Sequence, residues 1–312
     1  MNKLTCILTF LNEGIEVFRT VKSIRDSVGD TVDILLVDDS STDGVPYKVV
    51  ANKFNCDYVK SDTRQGVAGA RDLGVSLAKT PYCILFDAHM RFDKRSNWAE
   101  RVVEEIENND RRIYCTTCVS LWYPFIEQSQ SVTHQRSTGA YLATSFKDSH
   151  TSLAAKWIPL KLTGVEPVPL VLGATYAFSV EYYRELRGLA GLKYYGSDEP
   201  WISLKSWAIG DGCAVITDVN IGHLFRSKHP YPAYGLDALY NKLFMAAVVF
   251  PKKTKWLEDL MRLGGPKVSK MFKENETQFR ETRSWFAEVE KPGWRETFSQ
   301  LNGEFTEQVI TL

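Results

Sequence analysis

The chain has 312 residues, with 38 Lys and Arg set against 38 Asp and Glu, so its formal net charge is zero. Hydrophobic residues make up 44% and charged residues 24%, a balance that excludes a disordered or fibrous chain, while the length suggests roughly two units of about 150 residues. Zero net charge also argues against a protein whose whole surface grips nucleic acid, though it leaves room for a local basic patch.

The N-terminus, Met1-Asn2-Lys3 followed by an apolar run over residues 4–11, superficially resembles a secretion signal. Asn12 and Glu13 interrupt it early and no small-residue cleavage site follows, so the run reads as a first β-strand. Residues 13–26 have helical spacing through Ile15, Phe18, Val21 and Ile24. Residues 32–37 read as a short buried strand, 45–54 as a helix and 56–60 as a strand. A helix opened by Gly66 follows over 67–79, then strand 82–86, helix 98–108 and strand 113–122. Short apolar strands separated by amphipathic helices predict parallel βαβ units with right-handed crossovers.

Residues 127–169 change character. Ser, Thr, Gln and Lys dominate without clear period, and Pro159, Gly164, Pro167 and Pro169 punctuate the end. Such a stretch reads as a functional loop or lid rather than scaffold, and it carries His134, Arg136, Lys147, His150 and Trp157. A strand resumes over 171–180, helices follow over 181–186 and 199–209, and 214–218 reads as a short strand. The apolar run 243–250 is far too short to cross a bilayer. Residues 252–295 are charged, helical and without strand runs, so the chain divides into an α/β domain over 1–250 and a helical C-terminal extension over 251–312. Six scattered cysteines and the lack of a secretion signal fit reduced, buried thiols in a cytoplasmic protein. Cys115 and Cys118 have the spacing of a redox or zinc pair, but they sit in a strand-like run and no second pair accompanies them.

In an open α/β sheet ligands bind beyond the carboxyl ends of the strands, and acidic clusters fall at such ends. The run Val37-Asp38-Asp39-Ser40-Ser41-Thr42-Asp43-Gly44 follows a strand. Its carboxylates are placed either to accept hydrogen bonds from a nucleoside or simply to build a turn that caps the next helix. Asp87-Ala88-His89 follows another strand. In extended backbone residues i and i+2 point the same way, so this carboxylate and imidazole converge and suit a divalent cation. His223, at the end of a further strand-like run, is the candidate third ligand, and such a set suits Mn²⁺ somewhat better than Mg²⁺. In Ser197-Asp198-Glu199-Pro200, Pro200 fits the first turn of a helix, so Asp198 and Glu199 either cap it or place a general base.

These pieces, in this order, resemble a GT-A glycosyltransferase, a Mn²⁺-dependent enzyme that uses nucleotide sugars. Thr9-Phe10-Leu11-Asn12-Glu13 is similar to the family's first-strand motif, the 37–44 run to its nucleoside-binding signature, and residues 66–74 to the helix that follows. Asp87-Ala88-His89 stands where the family has Asp-x-Asp or Asp-x-His. Across residues 3–235 the likeness is to the catalytic domain of polypeptide N-acetylgalactosaminyltransferases, and His223-Leu224-Phe225-Arg226 through His229-Pro230-Tyr231 resembles their segment that begins with the third metal ligand.

The resemblance implies a GT-A fold: a Rossmann-like, mostly parallel central sheet with flanking helices. It also implies Mn²⁺ on Asp87, His89 and His223, with a UDP-sugar donor held by Thr9, Phe10, Glu13, Asp38, Asp39, Gly66 and Arg71. Arg226, His229 and Tyr231 would close over the diphosphate. Where those transferases carry Trp-Gly-Gly-Glu-Asn, this chain has Tyr195-Gly196-Ser197-Asp198-Glu199. Glu199 is therefore expected to be the base of an inverting displacement, with Asp198 orienting the acceptor or the sugar. The alternatives are a retaining transferase of the polypeptide N-acetylgalactosaminyltransferase type and a nucleotide-sugar-binding module without catalysis. A sugar nucleotidyltransferase would need a Gly-rich, basic phosphate loop after the first strand, and Leu11-Asn12-Glu13-Gly14 is not one. The acceptor, a hydroxyl of a glycan, a protein, a lipid-linked phosphate compound or a modified DNA base, is not specified. The Lys and Arg residues between 252 and 273 form either a solvated face or a contact for an anionic partner.

Overall fold

The computed structural model of the chain describes residues 1–94, 96–122, 135–144, 152–159, 162–226, 230–231 and 235–310. The first part alternates as the apolar periodicity requires: β1 (Leu4–Phe10), α1 (Ile15–Val28), β2 (Asp33–Asp38), α2 (Tyr47–Lys53), β3 (Asp57–Lys60), α3 (Gly66–Leu77) and β4 (Tyr82–Asp87). A short β5 (Met90–Phe92) follows, then α4 (Trp98–Asn108) and β6 (Ile113–Trp122). Beyond them come β7 (Arg136–Ser137), β8 (Gly139–Ala143), β9 (Ala154–Ile158), β10 (Val165–Val168), β11 (Thr175–Ser179), α5 (Val180–Glu185), α6 (Asp198–Ile209) and β12 (Cys213–Phe225). The chain continues through α7 (Leu236–Val249), α8 (Thr254–Glu274), α9 (Glu276–Val289) and α10 (Trp294–Ile310).

The main sheet runs β10-β12-β6-β11-β4-β1-β2-β3, with β5 added to β12 and β7 to β6. Strands β1, β2, β3 and β4 are parallel, as are β6 and β12, whereas β11 lies antiparallel between β4 and β6. Side chains alternate across a strand, and the two cores follow that alternation. Cys6, Leu8, Ile34, Leu36, Ile84 and Phe86 join α1, α2 and α4 in one cluster. Ile7, Leu35, Val37, Cys83 and Leu85 face α3 and α6 in the other. Helix α1 shows the cause in its own sequence: Val17, Thr20, Val21 and Ile24 form one buried stripe. All six cysteines are unpaired and five are buried; burial pushes the thiols of Cys83, Cys115 and Cys213 up to about 12, the environment of packing residues.

Three expectations are corrected. Residues 127–169 contain strands β7 to β10, and β8 and β9 pair as a separate antiparallel hairpin. No period of two announced it, because Gly139, Ala140, Leu142 and Ala143 are buried on both faces of β8. The strand expected over 171–180 is only Thr175–Ser179; Val171 and Leu172 are fully buried but precede it. The strand expected at 214–218 runs thirteen residues to Phe225. Polar Thr217, Asp218 and Asn220 signal a stop, but they occupy an irregularity in the pairing with β6 between Ile216 and Asn220, after which the ladder resumes.

The C-terminal helices are bound to this body by aromatic burial. Phe279 and Phe286 on α9, and Trp294, Phe298 and Phe305 on α10, enter the same cluster as Trp201 and Phe244. Helix α8 breaks at Gly265, where φ is 63°, with Pro266 next. Among the described residues, no helix is long and apolar enough to cross a membrane.

Candidate active site

The Asp87–His89 turn is fixed from beneath and from the side. Phe86, Phe92 and Trp98 form a buried aromatic triangle with ring centroids 5.0 to 5.7 Å apart, each pair worth roughly 0.5–1.5 kcal/mol beyond its buried area. The Thr20 hydroxyl on α1 donates to the Ala88 carbonyl at 2.9 Å and accepts from the Met90 amide at 3.0 Å. Strand β5 then pairs with β12 in the register His223↔Met90, and the Leu224 amide donates to the His89 carbonyl at 3.1 Å. This pairing delivers a histidine from the far end of the sequence to the turn.

One ligand atom each from Asp87, His89 and His223 lie within 4.8 Å of one another, and this is the sole such metal-holding cluster among the described residues. His223 Nε2 is 3.2 Å from Asp87 Oδ2. Burial lowers the His223 pKa and keeps its ring neutral, the form that ligates. Its Nδ1 is buried and has no hydrogen-bond partner among the described residues. Burial alone would raise the Asp87 carboxyl; the hydrogen bond from His223, the neighbouring imidazoles and the Arg71 guanidinium outweigh it and hold Asp87 well below the usual carboxylate range. A carboxylate with two imidazoles, one nitrogen of them unclaimed, fits a divalent cation such as Mn²⁺.

Glu13 stands behind this cluster. It is 6% exposed and accepts both Arg226 guanidinium hydrogen bonds at 2.8 Å, while its Oε2 is 3.4 Å from His89 Nδ1. Arg226 also lies 3.1 Å from His89 Nδ1. Burial opposes ionisation of Glu13, but the bonds to His89 and Arg226 prevail and lower its pKa. Glu13 thus orients a cluster histidine and a cationic side chain rather than standing open to a ligand.

Thr9, Phe10, Asp39, Gly66 and Tyr231 line one smaller recess beside the Asp87 turn, together with Glu13. Asp39 accepts the backbone N–H groups of Gln65 and Gly66 at 2.5 and 2.9 Å, so it caps the start of α3 at the recess wall. Asp38 is not among the residues lining this recess. It is 1% exposed, and its oxygens accept from the Ser41 amide at 2.7 Å and the Tyr58 hydroxyl at 2.9 Å. It builds the turn from below and does not reach the recess. His229 lies outside the described residues, as do His134, Lys147 and His150 of the expected acceptor loop; Arg136 is exposed on β7.

Arg71 lines the larger cleft beside Asp87. It is 2% exposed and pairs with Asp198, with Asp87 at 3.1 Å and with the Gly173 carbonyl at 2.8 Å. The long side chain reaches across from α3 and bridges the metal-type cluster to the N-terminus of α6. There Ser197 adopts a left-handed conformation, with φ of 67°, and starts the helix at Asp198. The preceding loop is clamped by Asn241 on α7, whose amide donates to the carbonyls of Lys193 at 2.7 Å and Gly196 at 2.8 Å and accepts from the Lys193 amide at 2.7 Å. Burial raises the Asp198 carboxyl, and the Arg71 charge opposes that rise without cancelling it. Glu199 faces a cleft of about 910 Å³ shared with Asp87, His223 and Arg226. Burial, and then the neighbouring Asp198 charge, push its carboxyl up to about 8.

Sequence reasoning missed three supports. Gly173 gives Glu199 its space: a Cβ there would lie 2.5 Å from Glu199 Oε1. Asn241 sits within an apolar helix stretch and gave no signal beyond being polar in such company. Arg64, with its guanidinium 5.5 Å from the Tyr194 ring centroid, lines the smaller recess; a basic residue just ahead of the α3 glycine was its only mark.

A largely parallel twisted sheet with helices on both faces, and a cleft holding this cluster beyond its strand ends, defines a GT-A fold. Residues 5–154 match the family model for glycosyl transferase family 2. The chain is similar to polypeptide N-acetylgalactosaminyltransferase 11 of Xenopus tropicalis, 25% identical over 250 residues that make up 73% of this chain and 39% of that protein. It is also similar to polypeptide N-acetylgalactosaminyltransferase 8 of Drosophila melanogaster, 28% identical over 236 residues, 70% of this chain and 38% of that one. The chain thus spans about two fifths of the length of these curated relatives. Among solved structures, GalNAc-T7 with UDP, GalNAc and Mn²⁺ superposes over 88% of this chain and 54% of its own with a TM-score of 0.68 at 21% identity. The mannosyltransferase PcManGT of Pyrobaculum calidifontis, in complex with GDP-Man and Mn²⁺, covers 96% of this chain and 84% of its own with a TM-score of 0.51 at 15% identity.

Proposed function

We propose that the chain is a metal-dependent glycosyltransferase that moves a sugar from a UDP-sugar to an acceptor hydroxyl with inversion at the anomeric carbon. The observation that carries this reading is the convergence of Asp87, His89 and His223 at the cleft. These three would hold Mn²⁺, which, when bound, supplies positive charge to offset that building on the departing nucleoside diphosphate. The recess lined by Thr9, Phe10, Asp39 and Gly66 takes the nucleoside. Arg226, directed by Glu13, and Tyr231 supply the donors nearest the diphosphate.

Glu199 faces the same cleft with a carboxyl raised toward neutrality, so its ionised form is an effective acceptor of the acceptor-hydroxyl proton. As that proton passes to Glu199, the acceptor oxygen bonds to the anomeric carbon and the bond from that carbon to the diphosphate oxygen breaks. Asp198, held by Arg71, fixes the helix end that aims Glu199. The test is release of UDP from a panel of UDP-sugars with and without Mn²⁺, repeated with Asp87→Ala and paired with Mn²⁺ binding followed by electron paramagnetic resonance. The reading requires that Asp87→Ala lose both; unchanged binding and turnover overturn it. NMR of the product then decides the stereochemistry, and retention of the donor's anomeric configuration removes Glu199 as base.

A further inference from the structure

Some glycines of this chain lack a side chain for the sake of the fold. Gly66 and Gly191 have positive φ, and a Cβ on them would meet the Tyr194 backbone at 2.0 Å and the Phe244 ring at 2.2 Å. Gly173 has neither reason. Its φ lies outside the left-handed region, so any L-residue could adopt the same backbone. The three atoms nearest to a Cβ at this position are Oε1, Cδ and Cγ of Glu199, at 2.5, 2.6 and 2.7 Å. What occupies the space is the far end of one flexible side chain, and that side chain faces the cleft.

The segment around Gly173 is itself held at several points. The Gly173 carbonyl accepts from Arg71 at 2.8 Å, and the Ala174 carbonyl accepts from the Asp87 amide at 3.2 Å. The Val171 amide donates to the Ser203 hydroxyl at 3.1 Å. Ser203 is fully buried and lies one turn along α6 from Glu199, on the same face. Thr175 then enters β11 opposite Phe86, the residue before Asp87. Four residues are thus tied to the metal-type turn, to the bridging arginine and to the helix that carries Glu199.

We propose that residues 171–174 gauge the distance between the Asp87–His89–His223 cluster and Glu199, and that position 173 is glycine to seat the Glu199 carboxylate rather than to permit the fold. Gly173 is then a positioning residue. The proposal rests on the reading of Glu199 as the base. With the backbone held at these points, an added Cβ displaces the carboxylate instead. Ordinary contact begins at 3.4 Å, so the carboxylate must shift by about an ångström, enough to misalign a reacting group.

The experiment is a double-mutant cycle on the full chain: Gly173→Ala, Glu199→Asp and the two together, with Glu199→Gln beside them. It reads kcat for UDP release from the UDP-sugar the panel identifies, with water as acceptor, together with Mn²⁺ affinity and thermal unfolding. In Gly173→Ala kcat falls about 100-fold, while Mn²⁺ affinity holds and Tm drops by no more than about 4 °C. Asp is shorter by a methylene and clears the added Cβ. Gly173→Ala therefore costs no more than about twofold in the Glu199→Asp background, where the two sites no longer touch. Full kcat in Gly173→Ala, an equal loss in both backgrounds, a fall in Mn²⁺ affinity or a larger drop in Tm overturns the proposal. Glu199→Gln separates the two readings. Full activity in it removes the base assignment, whereas an inactive Glu199→Gln beside an unimpaired Gly173→Ala removes only the positioning role.

Discussion

Replacing Arg71 by Met tests whether the bridge between the two halves of the cleft is as tightly set as its contacts imply. The guanidinium is 2% exposed and holds the Asp198 carboxylate, the Asp87 carboxylate at 3.1 Å and the Gly173 carbonyl at 2.8 Å, with its carbon centre 5.3 Å from the Tyr176 ring centroid. Met fills much of the same volume, so cavity formation contributes little and the cost is electrostatic. Removing one partner of a buried ion pair leaves an uncompensated charge and typically costs about 3–5 kcal/mol. The sign with pH follows from the two acids. In the wild type, Asp87 is held below its unfolded value, so its stabilisation is present above that value and lost as pH falls through the folded one. In Arg71→Met, burial acts on Asp198 without its counter-charge, so the folded carboxyl titrates above its unfolded value and the penalty fades as acid neutralises it. Urea unfolding in the presence of chelator should therefore show a deficit of about 3–5 kcal/mol near pH 7 that shrinks toward about pH 4.5. Adding Asp198→Asn should recover part of it at neutral pH. A deficit below about 1 kcal/mol at pH 7, or one that is the same at both pH values, refutes the buried bridge.

Three further outcomes follow from the same geometry. Gly66→Ala places a Cβ 2.0 Å from the Tyr194 Cα at a φ of +76°, so thermal unfolding should report a loss of at least about 2–3 kcal/mol; a loss under about 1 kcal/mol would show that Tyr194 can retreat. Glu13→Gln weakens the group that orients His89, and outer partners of ligands are typically worth about 10–100-fold in metal affinity. Calorimetric titration with Mn²⁺ reads that loss, and unchanged affinity rules the orienting role out. The kcat/KM for transfer should climb with pH through about 8 as Glu199, raised by burial and by Asp198, gives up its proton; a profile flat between about pH 6 and 9 is incompatible with Glu199 as base.

Much of this arrangement was legible in local pattern. The alternation of short apolar runs with amphipathic stretches located β1 to β4 and the helices between them, because a buried parallel strand and a one-sided helix leave different periods. The Asp-x-His spacing marked Asp87 and His89 as a pair, although residues 88 and 89 form a turn rather than the extended backbone that the spacing argument assumes. Pro200 marked the first turn of α6, and the structure starts that helix at Asp198. The hairpin was not legible, since β8 is covered on both faces and shows no alternation. Nor was the length of β12, whose polar midsection reads as an end.

What the sequence determined by itself is therefore local: which segments extend, which coil, and which acids and imidazoles fall at strand ends. Only the tertiary structure decided which of those groups meet. The pairing of β5 with β12 carries His223 to Asp87. The turn after β2 folds Asp38 under itself while leaving Asp39 at the recess. Arg71, expected among the residues that hold the donor, is drawn to the two carboxylates that its burial requires. The physical reason is common to all three: a side chain's type is written in the sequence, but its partner is set by strand register and by where burial leaves a charge that must be answered.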